Sequence, residues 1–167
     1  MPFALTPERD KLLLEILERY PNRQAACIPA LHLCQEQNGW ISQEIVEWLA
    51  GRLELSAAHV QGVATFYSLL DTEPTGKHQV WVCRTLGCAL RGSDSILTHC
   101  ENKLGIRCGQ TTADGKVTLR AAECLASCGS GPVLQVDRRY HERVTPQDVD
   151  AILDRLLGEG DADSTQP

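Results

Sequence analysis

The sequence predicts an α+β protein in which a helical N-terminal module precedes an α/β domain, and three observations carry that expectation. Apolar residues recur at helical spacing from residue 6 to about residue 72. A polar stretch with Pro74 and Gly76, "DTEPTGKH" at residues 71–78, has the composition of a linker. Beyond it, short β-rich runs alternate with helical text, beginning at "QVWVC". The expected bounds are residues 1–72 for the module, 77–158 for the second domain, and 159–167 for a disordered polar tail.

Each element has a local reason. Thr6 with Pro7 starts a helix whose apolar face is Leu13, Ile16, Leu17 and Tyr20, and Pro21 stops it. In the next helix Pro29 lies near the start, Leu31 and Cys34 are three apart, and Gly39 supplies the left-handed C-terminal residue. Ser42 caps a helix with Ile45, Val46 and Leu49 on one face, and Ser56 caps a shorter one. In the second domain a strand ends at Cys83, and a helix follows with Ile96, Leu97, Cys100 and Leu104 inward. Asp114 and Gly115 turn the chain into another strand, "PVLQV" reads as a buried strand, and "RRYHERV" pairs with it. Thr145, Pro146 and Asp148 open a last helix, which Gly158 stops.

Composition narrows the function. A net charge of -6 with no basic run argues against nucleic-acid binding. The N-terminus turns charged at Glu8 with no uninterrupted apolar core, so it reads as no signal peptide, and no stretch reaches transmembrane length. The expectation is a soluble cytoplasmic protein, where its 8 cysteines stay reduced and serve metal or redox chemistry.

The cysteines fall into two classes. Cys27, Cys34 and Cys100 sit beside Leu and Ile in amphipathic text, as small core hydrophobes do. Cys108 is expected as a partly exposed loop thiol. "CRTLGC" and "CLASC" instead place Cys83, Cys88, Cys124 and Cys128 as two pairs in loops at strand ends. Two pairs of thiolates satisfy a [2Fe-2S] cluster with two cysteines on each iron. Gly87, Gly92, Gly129 and Gly131 lie around the pairs and permit close backbone approach. Zinc competes, because four thiolates in two pairs also describe a closed structural site. A thiol redox pair is weaker, since neither spacing is Cys-x-x-Cys. The five histidines are scattered and add no ligand, and "GCALRGS" lacks the lysine of a phosphate-binding loop.

From "RYPNRQAACIPALHLCQEQNGWIS" through "VCRTLGCALRGS" to "ECLASCGSGPVLQVD" and "YHERVTPQDVDAIL", the chain resembles the 24 kDa subunit family of NADH:quinone oxidoreductase (respiratory complex I), a thioredoxin-like [2Fe-2S] ferredoxin family. The resemblance covers roughly residues 8–157. It implies an N-terminal helical bundle followed by a thioredoxin-like domain, with Cys83 and Cys88 on one iron and Cys124 and Cys128 on the other. It implies one-electron exchange with FMN in a partner subunit that also binds NADH. This chain then supplies no catalytic acid or base and binds no NADH itself. Other partners are the remaining hydrophilic-arm subunits, at the cytoplasmic face of the inner membrane without insertion into it.

Two residues depart from the family pattern: Ala126 and Gly131 stand where glycine and alanine are usual. NAD-linked hydrogenases and formate dehydrogenases have equivalent subunits and are the alternative hosts. The rival from another class is a zinc-stabilised docking module presenting Trp40, Trp48, Phe66 and Tyr67, most of which are expected instead in the core or in subunit packing.

Overall fold

A computed structural model describes residues 3–158, so the expected tail at 159–167 lies outside the described residues. The chain divides into two compact units between Pro74 and Thr75.

The first unit contains α1 (Pro7–Arg19), α2 (Cys27–Asn38), α3 (Gln43–Leu53) and α4 (Ala57–Phe66). The caps are those the sequence announces. The hydroxyls of Thr6, Ser42 and Ser56 accept from the N–H groups of Arg9, Ile45 and His59, and Gly39 ends α2 at φ 85°. The apolar faces meet in one core containing Leu13, Leu31, Ile45, Leu49, Leu53 and Val60, with Cys27 and Cys34 among them.

Helical structure stops at Phe66, short of residue 72. The Leu70 N–H donates to the Tyr67 carbonyl, the Asp71 N–H to the Gln35 side chain, and the Asp71 carbonyl accepts from Ile41. Backbone groups committed to those bonds cannot continue α4. Phe66 and Tyr67 are 80% and 43% exposed and so lie outside the core, which leaves subunit packing of the two places expected for them; Trp48 does pack inward, edge-on to Phe3.

The second unit contains β1 (His78–Cys83), α5 (Leu86–Ala89), α6 (Ser93–Leu104), β2 (Val117–Ala122), β3 (Val133–Val136), β4 (Arg139–Glu142) and α7 (Pro146–Gly158). The sheet order is β2-β1-β3-β4, with β1 parallel to β2 and the other two pairings antiparallel. A parallel pair needs a crossover, which α5 and α6 provide. Ile96 and Cys100 of α6, Val149 and Leu153 of α7, and Val80, Val82, Leu119 and Leu134 of the sheet form the core. Lys103 joins α6 to α7 through Asp154 at 2.7 Å, and His99 does so through Asp150 at 2.9 Å. Gly158 lies within α7, so the stop expected there falls outside the described residues. No helix among the described residues is long and apolar enough to cross a membrane.

Gly76 is the tightest glycine. Its N–H donates to the Thr118 hydroxyl at 2.6 Å, and a Cβ there would lie 2.9 Å from the Val117 backbone. Gly51, inside α3, has nothing within 4 Å of such a Cβ. One substitution therefore acts with opposite signs at the two sites. Gly51→Ala raises stability by about 1 kcal/mol by removing backbone freedom within a helix. Gly76→Ala lowers it by about 1–3 kcal/mol, as overpacking does. Urea denaturation of the full chain, monitored by circular dichroism, reads both.

The start of α7 titrates. Asp148 accepts from the Thr145 hydroxyl at 2.6 Å and the Thr145 N–H at 2.9 Å, and these bonds hold its carboxyl below its ordinary value. Because the folded value is depressed, the contribution is complete above the unfolded value and is lost as pH falls through the folded one. The stability gap between the native chain and Asp148→Asn should therefore close as pH drops below about 4. A gap unchanged at low pH in denaturation curves would reject this.

Candidate functional site

The parallel pair β1 and β2 runs out in the same direction, and the Arg84 N–H donates to the Ala122 carbonyl at 2.9 Å just past both strands. One exit carries the first cysteine pair and the other carries the second. Cys83 is the last residue of β1 and Cys88 lies in the single turn α5, so neither occupies the loop the sequence suggested. The α5 turn forms because the Thr85 carbonyl accepts from both Cys88 at 2.8 Å and Ala89 at 3.0 Å. Cys124 follows β2, and Cys128 opens a short 3-10 turn, Cys128–Ser130.

Arg91, which sequence reasoning missed, ties the two halves together. Its guanidinium donates to the carbonyls of Cys128 at 2.9 Å and Gly87 at 3.4 Å. An arginine three residues past a cysteine was the available signal, but its target is a backbone oxygen distant in sequence.

The sulfurs sit among amide donors. Burial pushes the Cys83 thiol up, but N–H groups of Leu125 and Thr85, together with the Cys88 thiol and the Thr85 hydroxyl, outweigh it and leave Cys83 below its ordinary value. Cys88 goes the other way, raised by burial and by the bond to Cys83, despite a bond from the Val133 backbone. The Ala126 N–H donates to Cys124 Sγ at 3.3 Å. Cys83 and Cys88 are buried beside Val133 and Leu125, while Cys124 and Cys128 are exposed.

The structure thus pairs Cys83 with Cys88 and sets Cys128 near Cys88. Among the described residues no three His, Cys, Asp or Glu side chains converge on one metal position. The donor set nevertheless fits an iron–sulfur cluster: four thiols in two pairs, with amides directed at Cys83, Cys88 and Cys124. One glycine completes the fit. A Cβ at Gly131 would stand 3.1 Å from Cys88 Sγ, and one at Gly87 would stand 3.6 Å from the Cys128 Cβ. A Cβ at Gly87 would make only ordinary van der Waals contact, and Gly92 and Gly129 have open space around them, so of the four glycines expected to serve close approach only Gly131 is tightly packed.

The remaining thiols behave differently. Burial pushes Cys34 and Cys100 up to about 12, and Cys27 upward too, which makes them inert packing groups. Cys108 is half-buried, and its N–H is bound by Glu101 at 2.9 Å. Among the described residues no histidine joins the cysteine pairs in a metal-holding group.

Ala126 holds φ 57°, a left-handed conformation that glycine adopts without penalty. Ala126→Gly should stabilise the full chain by about 1 kcal/mol, the scale of the Cβ clash in that region, while keeping the N–H to Cys124. Chemical denaturation together with iron content checks it; lower stability would reject the strain argument.

Three comparisons bear on this geometry. The family model for thioredoxin-like [2Fe-2S] ferredoxin matches residues 13–157. An NADH-quinone oxidoreductase subunit of Rickettsia bellii is 38% identical over 157 residues, covering 92% of this chain and 94% of the relative. An NADH-quinone oxidoreductase subunit of Rhizobium meliloti is 41% identical over 136 residues, covering 81% of each. Among solved structures, an NAD+-reducing [NiFe]-hydrogenase in the air-oxidized state superposes with TM-score 0.70 at 19% identity, over 78% of this chain and 22% of that one. That last likeness concerns the fold alone. With its α+β fold, its two cysteine pairs and a match over most of its length, the chain belongs to the thioredoxin-like [2Fe-2S] ferredoxin family.

Proposed function

We propose that this chain is the [2Fe-2S] electron-carrier subunit of an NADH–quinone oxidoreductase, with Cys83, Cys88, Cys124 and Cys128 as its ligands. The observation that carries the reading is the arrangement of two cysteine pairs on adjacent strand exits with amide donors on the sulfurs of Cys83, Cys88 and Cys124. A bound [2Fe-2S] cluster supplies reversible one-electron transfer and no acid–base chemistry. The chain's own work is positional. Cys83 and Cys88 hold one side from a rigid strand and turn, and the Cys124–Cys128 loop closes the other, anchored by Arg91 on the Cys128 carbonyl. The amides on sulfur disperse the negative charge that the thiolates concentrate.

The relatives at 38% and 41% identity are named as NADH-quinone oxidoreductase subunits, which favours that host over the hydrogenase and formate dehydrogenase alternatives. The immediate partner in this reading is the subunit that binds FMN and NADH, with the assembly peripheral to the inner membrane. Leu86 and Leu90, 70% and 79% exposed on either side of Cys88, give that contact an apolar rim. In the first unit Phe66, Tyr67 and Leu69 are exposed and suit a further subunit contact. In this reading the second unit binds the cluster and the helical unit adds a docking surface of its own, and the break after Pro74 is compatible with that division.

Anaerobically purified protein should contain two irons and two sulfides per chain and give a spin-half EPR signal after dithionite reduction. Replacing Cys83, Cys88, Cys124 or Cys128 singly by alanine should abolish the native signal, whereas Cys108→Ala should retain it with full iron content. Zinc without sulfide would overturn the electron-carrier reading in favour of the docking module.

A further inference from the structure

Immediately behind the second cysteine pair, between the starts of α6 and α7, lies a groove of about 750 Å³. Its polar wall is formed by Arg91, Ser95, Arg143 and Thr145, and its back by Gly129, Gly131 and Pro132 of the cysteine loop. Ile96 and Val144 give it an apolar floor. Its only charged lining residues are the two arginines, although the chain as a whole carries a charge of -6.

No carboxylate among the described residues forms an ion pair with either arginine, and Arg91 commits one nitrogen to the carbonyls of Gly87 and Cys128. Glu142, next to Arg143, is held chiefly by the hydroxyls of Ser127 and Ser130, with a smaller electrostatic attraction to Arg143. The Asp148 carboxylate, at the start of α7, is occupied by Thr145.

The start of α6 adds unfilled donors. Gly92 stands at its N-cap with φ 91° and no side chain caps the helix, so the N–H groups of Ser93 and of the exposed Asp94 lack intrahelical acceptors, while the Ser95 N–H donates to the Gly92 carbonyl at 3.1 Å. Ser93, in that first turn, is 1% exposed and its hydroxyl has no partner.

We propose that this groove is an oxyanion site, taking a phosphate or carboxylate group between Arg91 and Arg143 at the start of α6. Guanidinium forks match the paired oxygens of either group, and a helix N-terminus adds backbone donors of the same polarity. The apolar floor accommodates the carbon stem of an organic anion. The site goes beyond electron carriage, because neither arginine is required as a cluster ligand and binding is read without reference to redox state.

The test is calorimetric titration of the full-length, cluster-containing protein with inorganic phosphate and, separately, with acetate at matched low ionic strength. Saturable binding at one site is expected, weakened about tenfold or more in Arg143→Gln, the scale of one lost charge-assisted contact. Ser95→Asp, which keeps both arginines but brings a carboxylate into the groove, should abolish it. Arg138→Gln, in the exposed hairpin turn away from the lining, should leave it unchanged. Tighter binding of phosphate would identify a phosphate-bearing ligand; binding of acetate alone would identify a carboxylate, such as an acidic side chain of a neighbouring subunit. No saturable heat with either anion, or equal binding in Arg143→Gln, would overturn the proposal. Iron content measured on the same samples separates that result from loss of the cluster.

Discussion

The parallel pairing of β1 with β2 is the constraint on which the rest of the second unit depends. Parallel strands end on the same side of a sheet, so the residues leaving them arrive as neighbours however far apart they lie in sequence. Here Cys83 pairs with Ala122, two residues before Cys124, across the intervening α5 and α6. Antiparallel pairing would have sent the two cysteine segments to opposite ends. The crossover helix serves two ends: it covers the sheet with Ile96 and Cys100, and its length sets the separation in sequence between the two pairs.

Burial sorts the cysteines by chemistry. In Cys34 and Cys100 desolvation outweighs what opposes it, the Arg9 charge for Cys34 and a backbone bond for Cys100, and a thiol held near 12 has no thiolate to offer at neutral pH. Cys83 is also hidden from solvent, yet its sulfur meets donors from Leu125 and Thr85, which reverse the direction. The Cys83 sulfur therefore differs from those of Cys34 and Cys100 in meeting several donors at once. Loops and strand ends supply backbone donors, and helix interiors use them in their own hydrogen bonds.

That distinction explains how much was legible in advance. Caps at Thr6, Ser42, Ser56 and Gly39, the periodicity of α1, α3 and α6, and the Asp-Gly turn are local signals, and they read true except at Tyr20, which was expected on the α1 face but lies exposed just past the helix end. The other exceptions arose where a distant partner decided the outcome. α4 ends early because Gln35 and Ile41 bind Asp71, and α5 is a single turn with no hydrophobic period to betray it. Gly92 and Gly129 looked equivalent to Gly87 and Gly131 along the sequence, but only the latter pair would bring a Cβ within 4 Å of another segment. Arg91 escaped notice for the same reason, since a backbone carbonyl carries no residue identity.

The segments around the second cysteine pair also hold conformations that most of the unit avoids. Ala126, within the Cys124–Pro132 segment, and Arg143, which follows β4, both have positive φ, 57° and 51°, and each such residue costs about 1–3 kcal/mol. Local propensity does not choose those angles, so tertiary bonds must enforce them. The Arg143 N–H donates to Ser130 at 2.8 Å, the Val144 N–H to Pro132 at 3.2 Å, and Arg91 holds Cys128. These bonds run from the start of α6 and from the β4–α7 connection into the loop. Its shape is thus set from outside by two elements of the folded core rather than by its own sequence. A loop fixed in that way presents Cys124 and Cys128 in one arrangement while leaving both exposed.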